Sequence, residues 1–412
     1  MTEDDRTDEP LIELDEDTDI DEAEDDMEAG LAWGEKVRKR MQRILLEKVD
    51  LPLSQLVEMI DSKQIDLRPD FQRRDRWDGK RRSRLIESIL MNVPIPPVFL
   101  GEEEFGNYVV LDGRQRLTAL YDYLTNDFSL SGLVVWSELN GKRYKGLARL
   151  GDESKGDPRL DKAITRRFIT AVVVRQESVA AVKYEVFDRL NTGGVIAEPM
   201  EIRNAVFRGQ FNDLLHELSD EESFRTLWGI PTENQPRLKN AAYKKMTDLE
   251  MVLRFFAMQR VEDFKGRLKT FLNVIMEDRN KAYQSEPDLA TTDAALFRKT
   301  METTLAGLGS NALHRRLSDG ARSPVPSAPL ADAVLYAMSK FDGDVNDKAQ
   351  RKALRKALDD LMKHDDMFAK AISAGTNDKR GTRYRMRAAH LAINQDVQTW
   401  DMPDDKREEL MD

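Results

Sequence analysis

The chain contains no cysteine, which excludes disulfides, thiolate zinc sites and cysteine nucleophiles in one step. Histidine is nearly as scarce. Its four copies, His216, His314, His364 and His390, leave the first 215 residues without one, so zinc catalysis and histidine-metal nuclease chemistry have little to build on. No apolar run approaches the roughly 18 residues of a membrane span, and the opening lacks the basic-then-apolar order of a secretory signal. These absences predict a cytoplasmic protein of a prokaryote-like cell with no membrane contact. Two nucleotide fingerprints are missing as well. Gly79-Lys80 and Gly141-Lys142 are each followed by arginine instead of the Ser or Thr of a P-loop, and Gly307-Leu308-Gly309 follows a helical run, not a strand.

What is present is a chain of 412 residues, 40% hydrophobic and 34% charged, enough for two or three globular domains. The net charge of -11 is unevenly spread. Residues 1–28 hold 16 acids against the single base Arg6, a charge of -15, and the remainder carries 59 acids and 63 bases, about +4. An acidic, aromatic-free opening cannot bury enough apolar surface to offset its ordering entropy, so a disordered tail is expected over 1–30. Such a tail either solvates the chain or mimics nucleic acid in front of a basic site.

Residues 31–50 alternate basic and apolar side chains at helical spacing, and a second helix is expected from Ser54, with that serine as its N-cap. Helical period returns at Leu85, Ile86, Ile89 and Leu90 and stops at Pro94. PIPPVFL and NYVVLD read as buried strands, with the helix RQRLTALYDYL directly after the second. FSLSGLVVW and KRY are weaker strand candidates, and RRFITAVVV is the strongest strand signal in the chain. Residues 199–218 read as two short helices parted near Gly209, and from about 240 nearly every segment is helix-periodic.

Three motifs could carry chemistry. In Leu111-Asp112-Gly113-Arg114-Gln115-Arg116 a glycine stands where a strand becomes a helix, so backbone N–H groups can approach an anion and the helix N-terminus adds partial positive charge. Two arginines in that first turn reverse ordinary helix practice, which puts acids there. Either Asp112 neutralises them internally or a phosphate does. The second motif runs from Arg68 to Arg84, with eight bases, three acids and the interleaved rings of Phe71 and Trp77, and suits either a polyanion or a solvated, salt-bridged face. The third, Asn191-Thr192-Gly193-Gly194 followed by Glu198, Glu201, Arg203 and Asn204, reads as a helix C-cap or as part of a polar site.

Taken together, FQR..RW, LIESIL..VPIPPVFL, VLDGRQRLTALYDYL, VFDRLNTGG..AEPMEIRNAVFRG and DLEMVLRFFA resemble the N-terminal domain family of the GmrSD type restriction endonucleases, within the ParB/sulfiredoxin-like superfamily. The likeness extends over roughly residues 50–400. It implies a small mixed sheet with flanking helices over 31–220; with the disordered tail expected over 1–30 and the helix-periodic remainder read as a mainly α-helical domain over 221–412, the expected class is α+β. It also implies that the turn from Gly113 to Arg116 holds nucleotide phosphates, with Gln72 and Arg73 resembling the ParB box that grips the same nucleotide. The family usually has DGQQR here, so Arg114 is a departure. Sulfiredoxin chemistry needs a cysteine in this turn and is excluded.

The expected function is therefore a nucleotide-binding, NTP-hydrolysing regulator of a restriction or phage-defence type system. Gly113, Arg114, Gln115, Arg116, Gln72, Arg73 and Asn191 would bind the NTP, and Asp112 would be catalytic, directing Mg²⁺ or the attacking water. No histidine-rich HNH-like nuclease domain is recognisable in the sequence, so cleavage would fall to a separate nuclease or defence partner. Two alternatives stay open: a ParB-like module that binds DNA and is switched by nucleotide without turnover, and a non-catalytic interaction protein.

Overall fold

A computed structural model describes residues 45–67, 77–103, 106–147, 164–175, 184, 198–317, 319–373 and 377–412. The chain divides between Val206 and Phe207 into two compact units. The stretch expected to be a disordered tail lies outside the described residues.

The first unit is built on five strands: β1 (Leu46–Pro52), β2 (Ile65–Asp66), β3 (Val98–Glu102), β4 (Tyr108–Asp112) and β5 (Phe168–Val174). Their order is β1-β5-β3-β4-β2, with β1/β5 and β3/β4 antiparallel and β3/β5 and β2/β4 parallel, a small mixed sheet. Among the described residues four helices of eight residues or more accompany it: α1 (Leu53–Asp61), α2 (Gly79–Leu90), α3 (Arg114–Leu124) and α4 (Pro199–Val206). Helix α2 shows how the sequence builds them. Asp78 caps it, accepting from the Arg81 amide at 2.7 Å, and Leu85, Ile86, Ile89 and Leu90 fall on one face, which is buried. That face joins Leu53 and Leu56 of α1, Leu117 and Leu120 of α3 and the sheet residues Val98, Leu100, Val110, Ile169 and Ala171 in one core. Each such side chain removed from water is worth roughly 1.5–3 kcal/mol.

Three local expectations are corrected here. Leu46–Pro52 is a strand, not the end of a helix, because β5 supplies a partner in register from Leu46 against Val174 to Pro52 against Phe168. Helix α1 begins at Leu53, with Pro52 and not Ser54 at its N-cap; the proline's φ of -58° already fits a helix start. The FSLSGLVVW and KRY segments form no strand. Instead, the loop is held by side chains of α2: buried Ser83 accepts from the Ser131 amide at 2.9 Å, and buried Glu87 accepts from the Trp136 amide at 2.8 Å. Leu130 and Leu133 turn inward while Val134 and Val135 are exposed.

In the second unit the described elements are overwhelmingly helical: α5 (Gln210–Leu218), α6 (Glu222–Trp228), α7 (Thr247–Met258), α8 (Leu268–Ser285), α9 (Asp288–Leu308), α10 (Ala328–Ser339), α11 (Lys348–His364), α12 (Asp366–Ala371), α13 (Lys379–Asn394) and α14 (Asp404–Glu409), with shorter turns between. The expected break near Gly209 separates α4 from α5. Helix α10 is buried from Ala328 to Leu335 and packs on α7, α9 and α13. An aromatic cluster of Phe211, Phe224, Phe255, Phe256, Tyr283 and Phe297 fills the space among α5 to α9, with ring centroids 5.1–6.1 Å apart. Within this core Asp332 accepts from Arg254 at 2.5 Å and from Arg385 at 3.1 Å. Among the described residues, no helix is long and apolar enough to cross a membrane. The two units together give the α+β class: a small mixed sheet with flanking helices, and a mainly helical remainder.

Candidate functional site

The strand-to-helix switch read at Asp112-Gly113-Arg114 is where β4 ends and α3 begins. Tyr108–Asp112 alternates Val109 and Leu111 against Val110, as a strand should, and Leu117 and Leu120 then take up the helical period. Gly113 makes the corner at φ 91°, ψ 11°, in the left-handed region. A side chain there would be strained, and a Cβ would lie 2.5 Å from Val98 Cγ1 on β3 and 2.9 Å from Arg116 Nη2. The absence of that carbon lets the corner sit tightly against the start of β3.

The first intrahelical bond runs from Leu117 N to Gly113 O at 2.9 Å, so the amides of Arg114, Gln115 and Arg116 precede it. No side chain caps this end, and no acid lies in the first turn. The site therefore joins a helix N-terminus to two guanidinium groups within one turn of chain.

The charges are partly engaged. Arg116 Nη2 donates to Asp112 Oδ2 at 2.6 Å and to Pro97 O at 3.2 Å. Its Nε is shielded and has no partner among the described residues. Asp112 is thus the counter-ion of Arg116, one of the two roles open to it from the sequence, and its side chain stays 36% exposed. Gln115 Oε1 accepts from the Trp77 amide at 3.3 Å, which ties the turn to the end of the second basic motif. Arg114 is half-buried. Gln72, Arg73 and Asn191 lie outside the described residues, and so do Phe71 and most of the Asn-Thr-Gly-Gly motif.

Three neighbours were not legible as part of this region. Pro97 supplies a carbonyl to Arg116, and only the PIPP run hinted at an ordered turn there. Arg82, from the basic motif, donates to Asp122 at 2.5 Å and lies 4.0 Å from the Phe128 ring centroid, so it braces α3 and does not face solvent freely. Arg203 of α4, a helix that packs on β4, is buried with its guanidinium 5.6 Å from the Tyr184 ring centroid. By contrast Lys80, Arg81 and Arg84 are exposed on α2, with no carboxylate partner among the described residues, and Arg81 lies 4.5 Å over Trp77.

Among the described residues no group of three or more acids and histidines could hold a metal ion. Asp112 offers one partly exposed carboxylate, which suits an ion held chiefly by substrate phosphates and water and not a dedicated protein cage.

No curated protein matches the chain at a significant level. Residues 53–208 match the family model described as the GmrSD restriction endonuclease, N-terminal domain. That span opens at α1, includes β2 to β5 and the Gly113 corner, and closes just past α4. This part of the chain is similar to the N-terminal domain of the GmrSD restriction endonucleases, a likeness that points toward restriction.

Proposed function

We propose that the sheet unit binds an NTP by its phosphates at the Gly113 corner and hydrolyses it, as the regulatory part of a restriction or phage-defence system. The observation that carries this reading is the corner itself: a glycine that cannot accept a Cβ, an uncapped helix N-terminus and two arginines in a turn where helices ordinarily place acids. The amides of residues 114–116 would take a phosphate by backbone donation. Arg116, already oriented by Pro97 O and Asp112, would add a charge-assisted contact, and Arg114, Gln72, Arg73 and Asn191 would hold the remaining polar groups. Asp112, at the end of β4, would orient the attacking water and accept its proton. Mg²⁺, when bound, would neutralise charge on the phosphates beside Asp112.

A second reading rests on a different surface. Lys80, Arg81 and Arg84 present charge that meets no carboxylate among the described residues, with Arg81 over Trp77, a pattern that suits the DNA backbone, and there nucleotide would act as a switch without turnover. A separate nuclease or defence partner would supply cleavage in either case.

Substituting Arg116→Ala is the direct test. Removing a charge-assisted contact of roughly 1.5–3 kcal/mol predicts about a ten- to hundredfold rise in the Kd for NTP by calorimetry. An unchanged Kd overturns the phosphate-turn assignment. Phosphate release by the unmodified protein with ATP, GTP, CTP and UTP separates the two readings: hydrolysis of none of them favours the switch.

A further inference from the structure

The second unit carries a group of donors that the nucleotide reading does not use. Tyr336 lies in the last turn of α10 and Lys340, four residues on, is its C-cap; Arg387, His390 and Asn394 lie three and four residues apart on α13, the helix packed against it. Lys340 Nζ sits 4.0 Å from the Tyr336 ring centroid and 3.4 Å from Gln259 Oε1, and among the described residues it meets no carboxylate. Solvent reaches Lys340, yet protein on its other side lowers its pKa below the usual lysine range. The Tyr336 and His390 rings meet edge to face at 6.3 Å.

The hydrogen bonds fix the protonation of His390. Asn394 Nδ2 donates to Ala337 O at 3.0 Å and lies 2.9 Å from His390 Nδ1, so both amide protons are committed and Nδ1 must accept. The ring is then neutral with its proton on Nε2. Burial first, then the Lys340 charge, lower its pKa and favour that state. No described residue accepts from Nε2 or from the Tyr336 hydroxyl. The carboxylate that acts on Tyr336, Glu262, is held by both its oxygens on Arg387 at 2.9 and 2.8 Å, which offsets part of the repulsion an anion would meet.

We propose that this face of α10 and α13 binds a phosphate group through the Lys340 ammonium, the His390 Nε2–H and the Tyr336 hydroxyl. A phosphate offers several oxygens and at least one negative charge, which matches three donors of which one is a cation without a carboxylate partner. The phosphate comes either from a free nucleotide or from a nucleic-acid backbone. The site is built from residues of the helical unit alone and uses none of the Gly113 corner.

The test uses histidine-ring nitrogen spectra of the full chain, titrated with inorganic phosphate against chloride at matched ionic strength, with His390 assigned through His390→Gln. The His390 signals should shift saturably. Lys340→Met should weaken the apparent affinity by about tenfold or more, Lys340→Arg should keep it within a few-fold, and Arg116→Ala should leave it unchanged. Should Lys340→Met fold poorly by its melting temperature, Tyr336→Phe keeps the ring, removes a donor, and should weaken binding by several-fold. An indifferent His390, or a folded Lys340→Met that binds as the unmodified chain does, overturns the proposal. Parallel titrations with a nucleoside monophosphate and a short DNA duplex assign the source of the phosphate.

Discussion

Asp332 lies between Arg254 and Arg385 in the helical unit with all three side chains out of water, whereas Asp112 pairs with Arg116 in the sheet unit at a turn where the carboxylate is still 36% exposed. The residue types are the same and the distances similar, yet the physics differs. In the core, ions removed from water depend heavily on their ionic partners, with Arg385 also donating to Ala371 O, so the group is worth little as a bonus and a great deal when one member is lost. At the turn, water and salt screen the pair, its contribution to folding is about 0–1 kcal/mol, and its charges stay available to a ligand. Position, more than residue type, separates charge locked into the fold from charge left near solvent here.

The largest effect should come from Asp332→Ala, which leaves two buried guanidinium groups facing each other. We expect a loss of about 3–5 kcal/mol in the urea unfolding of the helical unit. A loss under about 1 kcal/mol would mean that the buried triad behaves like a surface pair and the comparison fails. Next is Gly113→Ala, where left-handed strain adds to collision with Val98, for a cost of about 1–3 kcal/mol. Gly141→Ala is the control: its φ of 80° is also left-handed, but a Cβ there would meet nothing within 4 Å, so it should cost less. Equal losses at the two positions would remove the case for a tight corner.

Asp112→Asn should change stability by no more than about 1 kcal/mol while abolishing NTP turnover, read as phosphate release beside the melting temperature of the same preparation. A variant that melts lower yet hydrolyses normally makes Asp112 a counter-ion and nothing more. The smallest expected effect concerns His390. Its folded pKa is lowered, so as pH falls below the ordinary value of about 6.5 the unfolded chain takes the proton first and stability is lost; above that value nothing changes. Urea midpoints at pH 7.5 and 5.5 should therefore differ less in His390→Gln than in the unmodified chain, and an equal difference would refute the shift.

How far the sequence could be read follows the range of the interactions. The β4–Gly113–α3 corner was legible because it is local: a two-residue alternation gives way to a helical period across one glycine. The helices after residue 240 were legible for the same reason. Leu46–Pro52 was misread because its partner strand lies 120 residues on, as Thr170 bonding Asp50 illustrates, and only that pairing makes a strand of it. FSLSGLVVW was misread because the groups that hold it, Ser83 and Glu87, are 48 and 49 residues away on α2. Arg254, Asp332 and Arg385 gave no signal at all, since separations of 78 and 53 residues carry no local pattern. At the site, the sequence left Asp112 two roles and could not show that Arg116 and Pro97 already engage it and its neighbour.

The loop between α3 and β5 that α2 holds has a consequence for how such a domain can diversify. Its path from Ser131 to Trp136 is specified by side chains on another element, so its own tip, where Val134 and Val135 are 84% and 76% exposed, carries almost no duty toward the fold. A lineage can rewrite that tip without renegotiating the core. The domain thus carries an exposed tip that the fold leaves almost unconstrained, mounted on a base that the fold constrains closely.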